Sequence, residues 1–243
     1  NVTNNNSLLV KYADDVSLLE SINRGKDNPI ALNDVKSWFE KHKLTINDAK
    51  SKQMLLTRAI MFDKEQYIYP NIPTVTNLAF LGITWNSKIT WNDHINSILR
   101  KAASRLYAIR IQKPLISRQF LIKVYHALIT SLLLYCAPLM IGLSSNSTER
   151  LESFQRRSHR LICGRENCNC INFPTIKSRR EDTAIELLLD MEKENHPLHH
   201  IAPVRLPRTR RFLQPPATHT HTHTRRLLSF VPATVCIAND RKK

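Results

Sequence analysis

Short apolar runs separated by polar residues mark the first half of the chain. Residues 7–19 form two short apolar runs on either side of a polar tip, a pattern that predicts a β-hairpin. Asn28 and Pro29 then predict the start of a helix, with Asn as the N-cap and Pro in the first turn. Residues 52–57 and 76–85 are candidate strands. The first half is therefore predicted to mix strands with a helix.

Helical periodicity is the main pattern in the second half. An apolar stripe begins near Trp91 and predicts a long helix that Pro114 ends. Ser117 is placed to cap the next helix. A third helix is predicted after Asn146, with Glu149 placed for a capping box. The stripe of the first of these helices consists of Ile95, Ile98, Leu99, Ala102, Leu106 and Ile109.

Residues 124–148 contain no charged side chain, which allows two interpretations. A transmembrane helix needs about 20 consecutive and mainly apolar residues. Here His126, Pro138, Asn146 and several hydroxyl side chains interrupt the apolar run. A helix buried in a protein core is therefore preferred to a membrane span, and no membrane is expected as a partner.

The periodic pattern ends at about Asn195. Residues 195–243 are rich in Pro, Arg, His and Thr, and residues 218–224 alternate strictly between Thr and His. Because a CA dinucleotide repeat encodes this alternation, one hypothesis is that the tail is translated microsatellite or flanking DNA. Such a segment cannot bury enough apolar surface to offset its chain entropy, which predicts disorder. The alternative is a genuine basic arm that binds nucleic acid.

The chain is strongly basic, with a formal net charge of +16. Residues 195–243 carry nine basic and one acidic residue, while residues 1–194 carry 27 basic and 19 acidic residues. Half of the excess charge is thus in the tail, and the balance favours a polyanion, chiefly nucleic acid, as partner.

Five cysteines are present, an odd number without the spacing of a disulfide framework. This indicates a reduced, intracellular protein, for which the nucleus is a candidate compartment. Cys163, Cys168 and Cys170, with three histidines that follow, do not have a common zinc-binding spacing. Free or partly buried thiols are therefore expected rather than a metal site.

Asp14 and Asp15, at the tip of the predicted hairpin, are the clearest candidates for catalytic residues. Nucleotidyl transfer uses two Mg²⁺ ions, which activate the primer hydroxyl and steady the leaving group. Mg²⁺ prefers hard oxygen ligands, above all carboxylates. Apolar strands on both sides would hold such a tip rigid and let both carboxylates approach one site. The alternative is an ordinary turn, because Asp favours turns through hydrogen bonds to its own backbone.

Five segments in order resemble the reverse transcriptases of non-LTR retrotransposons. KYADDVSLL resembles the polymerase C motif, LTINDAKSKQMLLT at residues 44–57 is similar to the D motif, and residues 77–95 resemble the E motif. RLYAIR and VYHALITSLLLYCAPL resemble the thumb, and residues 151–164 resemble the segment that follows it. The resemblance covers residues 7–165. It implies Mg²⁺-dependent DNA synthesis on an RNA template from a DNA primer.

The resemblance also implies roles for matching positions. Asp14 would be a main Mg²⁺ ligand and Asp15 a supporting one. Lys50 would lie near the triphosphate as a general acid, although an ordinary surface lysine is the alternative. The primer grip would consist of Tyr12, Phe80, Leu81 and Gly82. Gly82 would let the backbone approach closely, and the alternative for Phe80 and Leu81 is a plain core.

Residues 95–148 contain seven basic side chains and no acidic one, as expected of helices that follow template–primer phosphates. Such contacts would set affinity and salt dependence rather than sequence choice. The alternative is a solvated helix face whose positive charge is balanced by acidic residues elsewhere in the chain. The seven residues are Arg100, Lys101, Arg105, Arg110, Lys113, Arg118 and Lys123.

The predicted fold is α+β, in three parts. Residues 1–90 would form a partial polymerase palm, with a small antiparallel sheet and a helix. Residues 91–194 would form a helical thumb and post-thumb bundle, and residues 195–243 a disordered basic tail.

The family's remaining metal-binding aspartate and its B motif precede the C motif, and only eleven residues precede Tyr12 here. We therefore expect a fragment of an RNA-directed DNA polymerase that is inactive alone, because a two-metal site needs its full ligand set. Two other functions stay open. One is a non-catalytic nucleic-acid-binding module, and the other is the inert product of a decayed element.

Overall fold

The computed structural model describes residues 7–21, 31–56, 68–164, 174–205, 213–214 and 230–241. The fold is α+β, and the chain divides into two compact units, residues 1–90 and residues 91–243. The division falls where the sequence analysis placed the end of the palm-like segment.

A two-stranded antiparallel hairpin opens the first unit, as the apolar pattern predicted. Strand β1 (Ser7–Tyr12) pairs with β2 (Asp15–Glu20), and Tyr12 faces Asp15 across the turn. Helix α1 (Ala31–Lys41) follows and contacts β2. The predicted start of this helix at Asn28 lies outside the described residues.

The end of α1 turns the chain sharply into the next segment. Lys43 has a φ of +56°, and the Leu44 N–H donates to the Phe39 carbonyl at 2.9 Å, a bond that spans five residues. This combination is the Schellman arrangement, in which glycine is the usual residue because its φ is free to be positive.

A second hairpin replaces the single strand predicted for residues 76–85. Strand β3 (Asn77–Phe80) pairs with β4 (Ile83–Asn86), and Leu81 and Gly82 form the turn. Both turn residues have positive φ, 47° and 78°, which is the requirement of a type I′ turn. One uninterrupted strand was therefore the wrong prediction, because the apolar run continues through a two-residue reversal.

The predicted strand at residues 52–57 is reduced to a single bridge. Gln53 pairs in parallel with Thr74. Among the described residues, this bridge is not extended into a ladder of several pairs. Thr57 lies outside the described residues.

Helices form most of the second unit, and two of the helix ends lie at the residues predicted from the sequence. Helix α2 (Asn92–Gln112) ends before Pro114, as predicted. Helix α3 (Arg118–Tyr125) has Ser117 as its N-cap, and the Ser117 side chain accepts from the Phe120 N–H, as predicted. The helical path then continues through a π-helical turn (His126–Thr130) and a short segment (Ser131–Leu133).

Helix α4 (Ser145–Cys163) has a different cap from the predicted one. Ser144 is the N-cap and accepts from the Ser147 N–H, so the helix begins before Asn146. The predicted capping box is wrong, because Glu149 instead accepts from the side chains of Ser153 and Arg156.

The core of the second unit lies between α2, α3 and α4. All of the predicted α2 stripe is buried except Leu99, which is partly buried against the same cluster. The uncharged segment 124–148 contributes the buried residues Ile129, Leu133 and Met140, in agreement with the preferred interpretation. Among the described residues, no helix is both long enough and apolar enough to cross a membrane.

Folded structure continues into the segment predicted to be a disordered tail. Helix α5 (Ile176–Met191) is followed by paired strands β5 (Val204–Arg205) and β6 (Leu213–Gln214), and then by helix α6 (Phe230–Asp240). Residues 218–224 lie outside the described residues.

The prediction of disorder is wrong for α6. Val235 and Ala238 are buried against Leu188 of α5, and Arg241 forms ion pairs with Glu181 and Asp182. Val231, Val235 and Ala238 recur at helical spacing and give this short stretch an apolar face, which the surrounding composition obscured.

Candidate functional site

The tip of the first hairpin presents the two adjacent aspartates. Ala13 and Asp14 form the two-residue turn, because Tyr12 and Asp15 are cross-strand partners. Ala13 has a φ of +53°, a conformation that glycine more often provides in such turns. Asp14 and Asp15 are exposed, and Tyr12 is 65% exposed. Since directly opposed residues share a face of a sheet, Tyr12 and Asp15 lie on the same side of the hairpin.

The two carboxylates at this tip are the kind of ligand that Mg²⁺ prefers, but they are too few to complete a two-metal site. Mg²⁺ is commonly held by one or two carboxylates together with phosphate oxygens and water. Asp14 and Asp15 supply two such carboxylates. Among the described residues, no group of three or more His, Cys, Asp or Glu side chains is arranged to hold a metal ion.

Lys50 lies in a tight turn between α1 and the Gln53 bridge. Its backbone N–H donates to the carbonyl and to the side-chain oxygen of Asn47, at 3.1 and 3.2 Å. The Ser51 hydroxyl also donates to the Asn47 carbonyl, at 3.0 Å. Asn47 therefore fixes the backbone at Lys50, whose side chain is exposed.

A hydrogen-bond network around Gln53 holds this turn in the unit, and it was not predicted from the sequence. The Gln53 side-chain amide donates to the carbonyls of Tyr69 and Ile72 at 2.8 and 2.6 Å and accepts from the Tyr69 N–H at 3.0 Å. Its backbone bonds to Pro73 and Val75 at 3.1 and 2.9 Å. One side chain thus joins two segments that are 16 to 19 residues apart.

Tyr69 connects this network to the first hairpin. Its hydroxyl donates to Glu20 at 2.9 Å and accepts from the Leu32 N–H of α1 at 3.2 Å. Burial, with the hydrogen bond to Glu20, raises the pKa of the Tyr69 hydroxyl above its ordinary value. Glu20 is at the opposite end of β2 from Asp15, about 17 Å away at about 3.4 Å per residue. The network therefore anchors the base of the hairpin rather than its tip.

Three of the four residues expected to form the primer grip lie on the second hairpin, whereas Tyr12 lies on the first. Phe80 is the last residue of β3, and Leu81 and Gly82 form the turn. Phe80 is partly buried and faces Ile83, which is 4% exposed. Gly82 is exposed, so its backbone is accessible at the apex of the turn.

The seven expected phosphate-binding residues are all exposed, but they do not form one row. Arg105 donates to the Leu128 carbonyl, and Lys113 donates to the Leu161 carbonyl at 2.7 Å, near the end of α4. Arg105 and Arg110 are five residues apart, which places them about 140° apart around α2. Arg100, Lys101, Arg110 and Lys123 have no hydrogen-bond or ion-pair partner in the part of the chain that the structure describes.

Helix α4 supplies further basic residues next to α2. Arg150 donates to the side chain of Asn96 at 2.6 Å, and Ser147 donates to Asn92 at 3.4 Å, so the two helices run in the same direction here. Arg157 lies two turns beyond Arg150 and on the same side of α4, and Arg100 lies one turn beyond Asn96. Three residues, termed the α2–α4 basic row, therefore follow one junction: Arg100, Arg150 and Arg157.

The contribution of α4 to this row was not predicted from the sequence. Its arginines are visible in RLESFQRRSHR at residues 150–160, but the pairing of Arg150 with Asn96 spans 54 residues. A helical projection of α4 separates its buried positions from Arg150 and Arg157, yet it does not reveal which neighbour the exposed side adjoins.

Comparison with known protein families finds no family model that matches this chain. No curated protein and no solved structure is significantly similar to it.

Proposed function

We propose that this chain is part of an RNA-directed DNA polymerase of a non-LTR retrotransposon and comprises a portion of its palm and thumb. The observation that carries the proposal is the first hairpin, which exposes Asp14 and Asp15 at an apex between two apolar strands. The second hairpin and the basic helical unit follow in the order that the resemblance requires.

In this proposal the hairpin holds catalytic carboxylates at a fixed position. Asp14 and Asp15 would bind Mg²⁺, which would supply Lewis-acid stabilisation of the phosphoryl group when bound. Tyr12, on the same face as Asp15, would contact the primer end. Lys50, on its Asn47-stabilised turn, would offset phosphate charge and donate a proton to the leaving pyrophosphate.

The first expected result concerns catalysis by a chain extended with its upstream coding sequence. If the coding sequence upstream of the Asn1 codon supplies the A and B motifs, the two-metal site of the palm would be complete. The extended chain should then incorporate labelled deoxynucleotides on a primed RNA template. Asp14→Ala should reduce incorporation to background, because the carboxylates position the metal ions. The present chain should give background incorporation, since the described residues bring no third ligand to the tip.

Asp34→Ala is the matched control, because Asp34 is an exposed carboxylate on α1 in the same unit. It should leave incorporation by the extended chain unchanged. Incorporation that is insensitive to Asp14→Ala, or upstream DNA without either motif, would contradict the proposal.

A non-catalytic nucleic-acid-binding module is a second candidate, and the α2–α4 basic row favours it. Arg100 and Arg157 are exposed, and the described residues offer them no ion-pair or hydrogen-bond partner. Exposed guanidinium groups that have no such partner are suited to bind phosphate oxygens through charge-assisted hydrogen bonds. This candidate requires duplex binding by the present chain without any nucleotide incorporation.

The second expected result concerns the salt dependence of duplex binding. An Arg100→Gln/Arg157→Gln double variant should bind an RNA–DNA duplex more weakly and with a shallower dependence on salt. If each arginine contacts one phosphate, the slope of log K against log salt should change by about 1.8, at about 0.9 per contact. Fluorescence anisotropy over a series of KCl concentrations measures both quantities.

The control is a Lys41→Gln/Lys88→Gln variant, which loses the same charge from exposed positions in the first unit. Its slope should remain close to that of the unaltered chain. An equal decrease in both variants would show a general charge effect and would contradict a phosphate-binding role for the basic row.

A further inference from the structure

Tyr107 is an exposed aromatic residue on α2 to which no role has been assigned above. Its side chain is 64% exposed, and it makes no hydrogen bond or ring contact with the described residues. Ile111, one turn further along the same face of α2, is 54% exposed. Neighbouring apolar side chains that stay in water gain no free energy from burial, which leaves that gain to a binding partner.

Helical geometry places Tyr107 at the junction of α2 with α4. The two helices lie side by side along α2, since Arg150 donates to Asn96 near its beginning. Lys113 donates to the Leu161 carbonyl just beyond its end. Tyr107 is eleven residues after Asn96, which is three turns and brings it within about 20° of Asn96 around α2. Leu161 has the same spacing from Arg150 on α4, so Leu161 and Tyr107 lie opposite each other.

Two arginines of the basic row flank Tyr107. Arg100 precedes it by two turns on the same side of α2, about 10 Å along the helix axis. On α4, Arg157 precedes Leu161 by one turn, just as Ala103 precedes Tyr107 on α2. Arg157 therefore lies across the junction from Ala103, which is exposed and too small to fill the space beside the ring.

Acidic side chains of the two helices do not offset this charge. Helix α2 has no acidic residue after Asp93 in its first turn. On α4, Glu149 accepts from Arg156, and Glu152 accepts from a backbone N–H at the start of α5 at 2.8 Å. Glu149 and Glu152 are about 80° and 140° from Arg157 around α4. The junction is thus complementary to a polyanion that also has apolar faces, and it would repel a second copy of this basic chain.

We propose that the α2–α4 junction binds single-stranded nucleic acid, with Tyr107 stacked on an unpaired base and with Arg100 and Arg157 on the neighbouring phosphates. Every base has a π-face that an aromatic side chain can cover, and every phosphate carries a charge, so a single strand matches both parts of the surface. Bases within a duplex are already stacked on both faces, and the ring therefore selects a strand whose bases are free. The inference rests on the nucleic-acid-binding role of the basic row and names the form of nucleic acid that the row binds.

The test compares two strands that carry the same phosphates but differ in their bases. One is a twelve-nucleotide thymidine strand, and the other is a twelve-unit strand of abasic sugar phosphates, each with a 5′ fluorescein. The full chain should bind the thymidine strand more tightly by about 5-fold or more, because stacking of one base on an aromatic side chain contributes at least that factor. Fluorescence anisotropy at one fixed salt concentration gives both dissociation constants.

Tyr107→Ala should abolish the difference between the two strands. It should weaken binding of the thymidine strand by about 5-fold or more and leave binding of the abasic strand unchanged, since the phosphate contacts remain. Binding of a blunt RNA–DNA duplex should also be unchanged. Tyr107→Phe keeps the ring and should retain the preference for the thymidine strand.

Tyr135→Ala is the matched control, because Tyr135 is a 46% exposed tyrosine of the same unit. It follows the π-helical turn on a segment that contacts the other side of α2. Arg105, which donates to the Leu128 carbonyl of that segment, is about 180° from Asn96 around α2. Tyr135→Ala should therefore keep the full preference for the thymidine strand.

The possible failures are distinguishable. Equal binding of the two strands by the unaltered chain, or an unchanged preference in Tyr107→Ala, would contradict the stacking site while leaving phosphate binding by the basic row intact. Binding of neither strand and of no duplex would contradict the row as well. If polyglutamate displaced the thymidine strand as well as unlabelled strand of equal charge did, the junction would recognise charge alone, and an acidic polypeptide would replace nucleic acid as its partner.

Discussion

Replacement of Leu151 by Ala is expected to lower the free energy of unfolding of the helical unit by about 2–5 kcal/mol. Leu151 is 0% exposed and belongs to the core cluster between α2, α3 and α4. The change removes apolar contacts and leaves a cavity, which close-packed neighbours fill only in part. Guanidinium unfolding followed by far-UV circular dichroism measures the loss, because this unit contains most of the helical residues.

Leu115→Ala is the matched control, since Leu115 is 81% exposed in the turn between α2 and α3. It should change the free energy of unfolding by no more than about 0.5 kcal/mol. Equal effects of the two changes, or unfolding of the unaltered chain without a cooperative transition, would contradict a packed core. That outcome would favour the interpretation of the chain as an inert product of a decayed element.

Replacement of Gln53 by Ala is expected to destabilise the first unit by about 2 kcal/mol. Three side-chain hydrogen bonds are lost, to the backbone of Tyr69 and Ile72. Each such bond contributes about 0.5–1.5 kcal/mol, and water can reach this partly buried site and replace some of them. Amide hydrogen exchange of peptides that cover residues 51–56 and 68–76 should show faster exchange in the variant.

Gln53→Glu and Gln119→Ala are the controls for this change. The carboxylate of Gln53→Glu keeps the acceptor for the Tyr69 N–H but cannot donate to the two carbonyls at neutral pH. It should therefore also speed exchange. Gln119 is exposed on α3 and lies outside the first unit, so its replacement by Ala should leave exchange in residues 51–76 unchanged. Unchanged exchange in Gln53→Ala would mean that the bridge does not support this segment.

The position of the Gln53 network matters for the proposed chemistry. It connects the segment that carries Lys50 to Tyr69 and, through Glu20, to the base of the first hairpin. The two functional segments of the proposed palm are thus joined by polar contacts within one unit. Loss of Gln53 is expected to loosen the segment of Lys50 without changing the carboxylates of the tip.

Local patterns in the sequence were sufficient for the elements whose cause is local. The two apolar runs on either side of Asp14 and Asp15 predicted the first hairpin, and the period of 3.6 from Ile95 to Ile109 predicted α2 and its buried face. Pro114 and Ser117 marked a helix end and a helix start, because the first lacks a backbone N–H and the second offers a capping oxygen. Each of these signals acts within a few residues.

The tertiary structure decided the features that depend on distant partners. Composition predicted a disordered end, yet Val235 and Ala238 pack against Leu188 some 50 residues earlier. Gln53 and Arg150 look like ordinary polar residues in the sequence. One becomes the bridge of the first unit, and the other joins α4 to α2. Periodicity shows that a face will be covered, but only the packed chain determines what covers it, because the choice rests on shape and hydrogen-bond complementarity between remote segments.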